Sequence, residues 1–163
     1  MAENPKPKNF KDWSFMLIMT WGGLGLLPKA PGTFGTLGGV MIFALLVPLK
    51  ANNLFWLLGL AAFLTVVCGL MGGWMEGFFQ REDPPPVVID EVAGYLVSAV
   101  VLVPANPLYV GILAFVFFRF FDILKPFPIK HLERIPSGWG VVLDDIGAGI
   151  MAALVLNGIF YFV

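Results

Sequence analysis

The sequence predicts an all-α fold, a polytopic membrane helix bundle of about five spanning helices preceded by a short N-terminal interfacial or re-entrant helix. Three observations carry that expectation. Hydrophobic residues make up 58 % of the 163 positions and charged residues only 13 %, against roughly 45–50 % and 25 % in soluble domains. Mean hydropathy is +0.85, more apolar surface than a water-soluble domain of this size can hide. The apolar runs lack strict alternation, which argues against a β-barrel, and satisfying the backbone in lipid then leaves helices.

The elements follow in order. Residues 1–12 form a polar, lysine-bearing tail without a small-x-small cleavage pattern, read as cytoplasmic. Residues 13–163 form a single membrane-embedded domain. Trp13–Leu27 is apolar but short, and it carries Gly22, Gly23 and Gly25. It barely spans a bilayer core of about 30 Å, so a re-entrant or interfacial helix is expected, with a full span as the alternative. Pro28–Thr36 is a Pro/Gly/Thr loop, and Leu37–Leu49 is an apolar run. Leu54–Met75 is the cleanest span. Glu76–Pro86 is charged and ends in Pro84-Pro85-Pro86, which stops any helix. Val87–Val103, Leu108–Leu124 and Val141–Val163 complete the spans, separated by the Pro104–Pro107 turn and the polar Lys125–Gly140 loop.

If the first segment does not cross, the tail and the loops at Pro28–Thr36, Glu76–Pro86 and Lys125–Gly140 share one side. Nine of the ten basic residues then lie on or near it, and Lys50, in the Lys50–Asn53 turn, lies opposite. The positive-inside rule makes that side cytoplasmic. Asp90 and Glu91 begin a helix leaving it, Asp122 ends a helix arriving there, and Asp144 and Asp145 begin another leaving. Five carboxylates thus reach one depth. Capping by the helix dipole explains any one of them taken alone, and Arg119 and Asp122, three apart, can simply pair. Together they would repel one another unless protonated or neutralised by cations. Arg119 and Lys125 supply two positive charges, and Mg²⁺, a hard cation that takes oxygen ligands, suits the rest.

Four blocks then stand in order: Pro31-Gly32-Thr33-Phe34-Gly35-Thr36, Asp90-Glu91-Val92-Ala93-Gly94, Arg119-Phe120-Phe121-Asp122-Ile123-Leu124-Lys125-Pro126, and Asp144-Asp145-Ile146-Gly147-Ala148-Gly149. In these the chain resembles the phosphatidylglycerophosphatase A family of bacteria. Thr36 stands where that family often has serine, which keeps the hydroxyl. The resemblance implies a Mg²⁺-dependent phosphatase of the inner membrane, its site facing the cytoplasm, hydrolysing phosphatidylglycerophosphate to phosphatidylglycerol and phosphate. It also marks Thr33, Gly35, Asp90, Glu91, Arg119, Asp122, Lys125, Asp144 and Asp145 as site positions.

The residues allow that chemistry. Arg119 offers a bidentate phosphate clamp. Lys125, at a helix end, is placed either for phosphate or simply to snorkel to the interface. Thr33, Gly35 and Thr36 offer a Gly-bearing loop at a helix start, which is either a phosphate cradle or an ordinary turn and N-cap. Asp90, Glu91, Asp144 and Asp145 are the candidate metal ligands. Asp122, with Asp90 and Asp145, forms the candidate catalytic set, as base or as covalent nucleophile.

Other chemistries are excluded. Six residues after Cys68 stands Trp74, not the arginine a cysteine phosphatase needs. The lone His131 cannot serve a mechanism that needs two histidines, and it reads as an interface residue or a proton donor. Neither an Asp-x-Asp triplet nor an Asp-Gly-x-x-Ala-Arg core is present. The expected partners are the phospholipid substrate and the membrane; a net charge of −1 gives no basic field for nucleic acid, and no obligate protein partner is evident. The competing class is an ion-coupled transporter using the same carboxylates, which predicts mid-membrane acids and inverted repeats.

Overall fold

A computed structural model describes residues 5–48 and 54–162, so the Lys50–Asn53 turn and its lysine lie outside the described residues. The described chain is all helical. The helices are α1 (Phe10–Met19), α2 (Pro31–Leu46), α3 (Leu54–Phe79), α4 (Ile89–Ser98), α5 (Pro107–Leu124), α6 (Ile129–Leu132) and α7 (Gly138–Phe162), with a short 3₁₀ turn at Leu24–Leu26.

Among the described residues, α3, α5 and α7 are long and apolar enough to cross a membrane, at 26, 18 and 25 residues. Their outward faces carry unpartnered apolar side chains such as Leu70, Ile123 and Leu154, the surface expected of helices solvated by lipid. Apolar α2, at 16 residues, is shorter. The expected span over Val87–Val103 contains instead a helix of ten residues, α4, about 15 Å long. The physical reason is its position. Every α4 residue except Glu91 is buried, because α2, α3, α5 and α7 all pack on it. A helix that never meets lipid has no bilayer thickness to match, and irregular backbone at depth is tolerated where protein satisfies it. Asn157 of α7 does so: its Oδ1 accepts from the Leu102 N–H at 2.7 Å and its Nδ2 donates to the Val100 carbonyl at 2.9 Å.

Helix α1 has ten residues and cannot cross by itself. It starts beside Trp74, whose indole N–H donates to Asp12 at 3.1 Å. Its far end shares a groove with Phe63 and Val67, deeper along α3. It therefore dips inward and turns back, the re-entrant form. Asn9 caps its start by accepting from the Asp12 N–H at 2.8 Å. At the turn, the Thr20 hydroxyl donates to the Met16 carbonyl at 2.7 Å and accepts from the Gly23 N–H at 3.1 Å. One buried side chain thus serves two backbone groups where water is scarce.

The re-entrant α1 puts the N-terminal tail at the same end as the C-terminus of α3. That end also holds the starts of α2, α4 and α7 and the end of α5, as the topology read from the sequence expects.

Candidate functional site

Each acidic pair reaches this end through a close helix contact. Gly94 sits one turn after Asp90 and Glu91 on α4. A Cβ there would lie 2.5 Å from Phe118 Cε2 and 2.7 Å from the Asp145 carbonyl oxygen. Gly149, one turn after Asp145 on α7, would overlap the Gly94 carbonyl if it carried a Cβ. Small residues let helix backbones touch, and here they bring Asp90-Glu91 against Asp144-Asp145. This is the physical reason for Gly94 and Gly149 in those two sequence blocks.

The result is a cavity of about 310 Å³. It is lined by Asp90 and Glu91 of α4, by Asp144 and Asp145 of α7, and by Arg119, Asp122 and Lys125 at the end of α5; Asp83 and Pro85 stand on the loop before α4, and Ala30, Pro31 and Gly32 close the α2 side. Asp90 and Asp145 are each only 5 % exposed. Carboxylate oxygens of Asp90, Glu91 and Asp145 lie within 4.8 Å of one another. Among the described residues no Lys or Arg forms a salt bridge with these three, and buried Glu91 Oε2 has no hydrogen-bond partner. A buried carboxylate oxygen without a partner is costly. Three hard oxygen donors converging on one point fit a small divalent cation such as Mg²⁺, so Asp90, Glu91 and Asp145 are the residues able to hold one.

The basic residues of the cavity are already paired. Arg119 Nη1 meets Asp122 Oδ2 at 2.6 Å, one helical turn apart. Lys125 Nζ meets Asp144 Oδ2 at 2.6 Å and Glu133 at 3.2 Å. Burial would lower the Lys125 pKa, but the bonds to Asp144 and Glu133 more than offset it and hold the ammonium above its usual range. Lys125 takes a left-handed conformation, φ 41, as it caps α5, which turns the chain so that the amine reaches α7. Asp144, expected as a metal ligand, gives Oδ2 to Lys125 and accepts the Asp145 N–H on Oδ1 at 3.0 Å. It is not among the three carboxylates whose oxygens lie within 4.8 Å of one another.

The Pro-Gly-Thr block is not a loop before its helix but the first turns of α2 itself. Of that block, Pro31 and Gly32 line the cavity, whereas Thr33, Gly35 and Thr36 are not among the lining residues. Gly35 packs on Val88, where a Cβ would come 2.6 Å from Val88 Cβ. The Thr36 hydroxyl donates to the Gly32 carbonyl at 2.9 Å. Gly32 is the position that meets the chemistry: a Cβ on it would overlap Glu91 Oε1 and lie 3.1 Å from Arg119 Nη1.

His131 is exposed at this end, edge-on to Phe127 at 5.3 Å. Cys68 is buried between α3 and α7, its Sγ 3.9 Å from the Gly138 carbonyl.

Sequence reasoning missed Gly32, Asp83 and Glu133. Asp83 carried a signal, since it precedes three prolines whose stiffness fixes its distance from Asp90. Glu133 carried none, because only the turn after Lys125 brings it near.

A family model for phosphatidylglycerophosphatase A matches residues 17–160. The chain belongs to the phosphatidylglycerophosphatase A family. A relative of that name from Haemophilus influenzae is 34 % identical over 99 % of this chain and 98 % of its own. Another from Escherichia coli K12 is 32 % identical over 90 % of this chain and 81 % of its own. A Bacteroides thetaiotaomicron protein provisionally named a phosphatidylinositol-3-phosphatase is 35 % identical over 86 % of this chain and 90 % of its own. No solved structure matches. Membership in the phosphatidylglycerophosphatase A family places the chain among phosphatase enzymes of bacterial membranes, and the cavity at the shared helix ends is where its polar chemistry is concentrated.

Proposed function

We propose that this protein is a Mg²⁺-dependent phosphatase that hydrolyses phosphatidylglycerophosphate to phosphatidylglycerol and phosphate, in the inner membrane with its cavity toward the cytoplasm. The observation that carries the reading is the presence in one cavity of two sets of side chains, one of carboxylates alone and one of paired acids and bases. Asp90, Glu91 and Asp145 converge with no salt bridge to a Lys or Arg among the described residues, while Arg119 and Lys125 line the same cavity, paired with Asp122 and Asp144. A phosphomonoester needs charge neutralisation, an aligned attacking oxygen and a protonated leaving group.

Arg119 keeps donors beyond the one on Asp122, and Lys125 keeps one N–H beyond its two carboxylate bonds. These bind the phosphate oxygens. When bound, Mg²⁺ would supply Lewis-acid neutralisation of the charge developing on phosphorus oxygens. Asp122, oriented by Arg119, accepts the proton of the attacking water. The water oxygen bonds to phosphorus as the ester oxygen leaves; that oxygen takes a proton from solvent, and Asp122 returns its own to solvent. The family's name supports the glycerophosphate substrate, and the position of the cavity at the helix ends suits a headgroup at interface depth.

The test is phosphate release by purified protein in detergent from phosphatidylglycerophosphate and, in parallel, from phosphatidylinositol 3-phosphate, with Mg²⁺ or with EDTA. Release from the first lipid that requires Mg²⁺ is expected. Preference for the second would move the assignment to the activity for which the Bacteroides relative is named. Absence of release from either lipid under any divalent metal would refute the enzyme assignment for these lipids and return the carboxylates to the ion-coupled transport reading.

A further inference from the structure

We propose that Glu133 is a positioning residue whose carboxylate makes the cavity select a phosphate monoester over the phosphodiester headgroups that surround it in the membrane. The inference rests on the phosphatase reading and names how that site discriminates among lipids.

The geometry is an unequal sharing of one ammonium. Lys125 Nζ is held by Asp144 at 2.6 Å and by Glu133 at 3.2 Å. The Asp144 side chain is 7 % exposed and fixed on α7; that of Glu133 is 46 % exposed and lies just after the four-residue α6. Asp144 cannot leave. Glu133 can, because an exposed pair at that length is weak and screened. Glu133 also does not line the cavity, so it approaches Lys125 from outside.

An incoming phosphate takes the third N–H of Lys125 and competes with this carboxylate for the charge of the same ammonium. A phosphodiester carries one negative charge, as the carboxylate does, and gains no electrostatic advantage by replacing it. A monoester carries nearly two at neutral pH, since its second ionisation has a pKa of about 6. It therefore displaces Glu133 where a diester does not. Asp83, exposed at the same cavity, adds to the negative charge that a singly charged ligand must overcome. The product of the proposed reaction is itself a diester, so the same competition favours its release.

The experiment is equilibrium binding to the purified full-length chain in detergent with Mg²⁺. The probes are dihexanoyl phosphatidylglycerol, a diester, and a non-hydrolysable short-chain lipid phosphonate as the monoester mimic. In Glu133→Gln the ratio of the diester Kd to the phosphonate Kd falls about fivefold, and Glu133→Asp restores it. Glu82→Gln, an acid of the neighbouring loop outside the cavity lining, leaves the ratio as in the wild type. An unchanged ratio in Glu133→Gln, or an equal shift of both Kd values, overturns the proposal. Because the readout is a binding ratio, it stands apart from hydrolysis: failure of the wild type to release phosphate would remove the phosphatase reading, whereas an unchanged ratio in an active enzyme would remove only the role of Glu133.

Discussion

The two acidic pairs of this protein are alike in sequence and unlike in surroundings. Asp90-Glu91 and Asp144-Asp145 both lie near the cavity end of a helix, and in each the first acid accepts the N–H of the second at 3.0 Å. Yet Asp144 is neutralised by Lys125 at 2.6 Å, while Asp90, Glu91 and Asp145 lie close together with no salt bridge to a Lys or Arg among the described residues. The difference teaches that adjacency in sequence does not define the functional unit. The three-carboxylate group is made across helices, from α4 and α7, and the fourth acid pairs with Lys125.

The largest expected effect separates the two kinds of acid. Asp90→Asn and Asp145→Asn should each lower kcat at least about 100-fold, about 2.7 kcal/mol of transition-state stabilisation. Asp144→Asn should cost only about tenfold, because it loosens Lys125 without touching the three-carboxylate group. Equal losses in all three, measured by phosphate release from folded variants, would erase the distinction between the two kinds of acid.

Metal binding sharpens it without any catalysis. Mg²⁺ at about 100 times its Kd should stabilise the wild type by about 2.7 kcal/mol, seen as a rise in Tm in detergent. Glu91→Gln should lose most of that rise and Asp144→Asn should keep it. A rise unchanged in Glu91→Gln would move the cation elsewhere.

Gly32 tests the close approach of Glu91 and Arg119. Gly32→Ala places a methyl against Glu91 Oε1 and Arg119, so kcat/KM should fall about tenfold. Stability should hold or improve, since alanine is the better helix former by up to about 1 kcal/mol. Loss of Tm together with activity would mean that the glycine serves packing alone.

The smallest effect lies at the far end of the bundle. Asn157→Leu leaves the Val100 carbonyl and the Leu102 N–H without their side-chain partner. It should cost about 1–2 kcal/mol of stability with kcat unaltered, read by thermal unfolding beside the activity assay. A change in kcat would tie the short α4 to the chemistry more tightly than its contacts suggest.

Composition and hydropathy were enough to determine helices in a membrane, because lipid leaves a backbone few other choices. Charge placement along the chain brought Asp90, Glu91, Arg119, Asp122, Lys125, Asp144 and Asp145 to one end, and all seven line one cavity. Such end-on placement is legible because a helix of known length carries its terminal residues to a predictable depth. Lateral relations were not legible. That α4 is short and wholly enclosed, that Gly32 rather than Gly35 meets the cavity, and that Lys125 divides itself between Asp144 and Glu133 depend on which helix faces which. Close helix packing through Gly94 and Gly149 and a left-handed turn at Lys125 made those choices. They are properties of neighbouring surfaces, which a single chain of residue types does not contain.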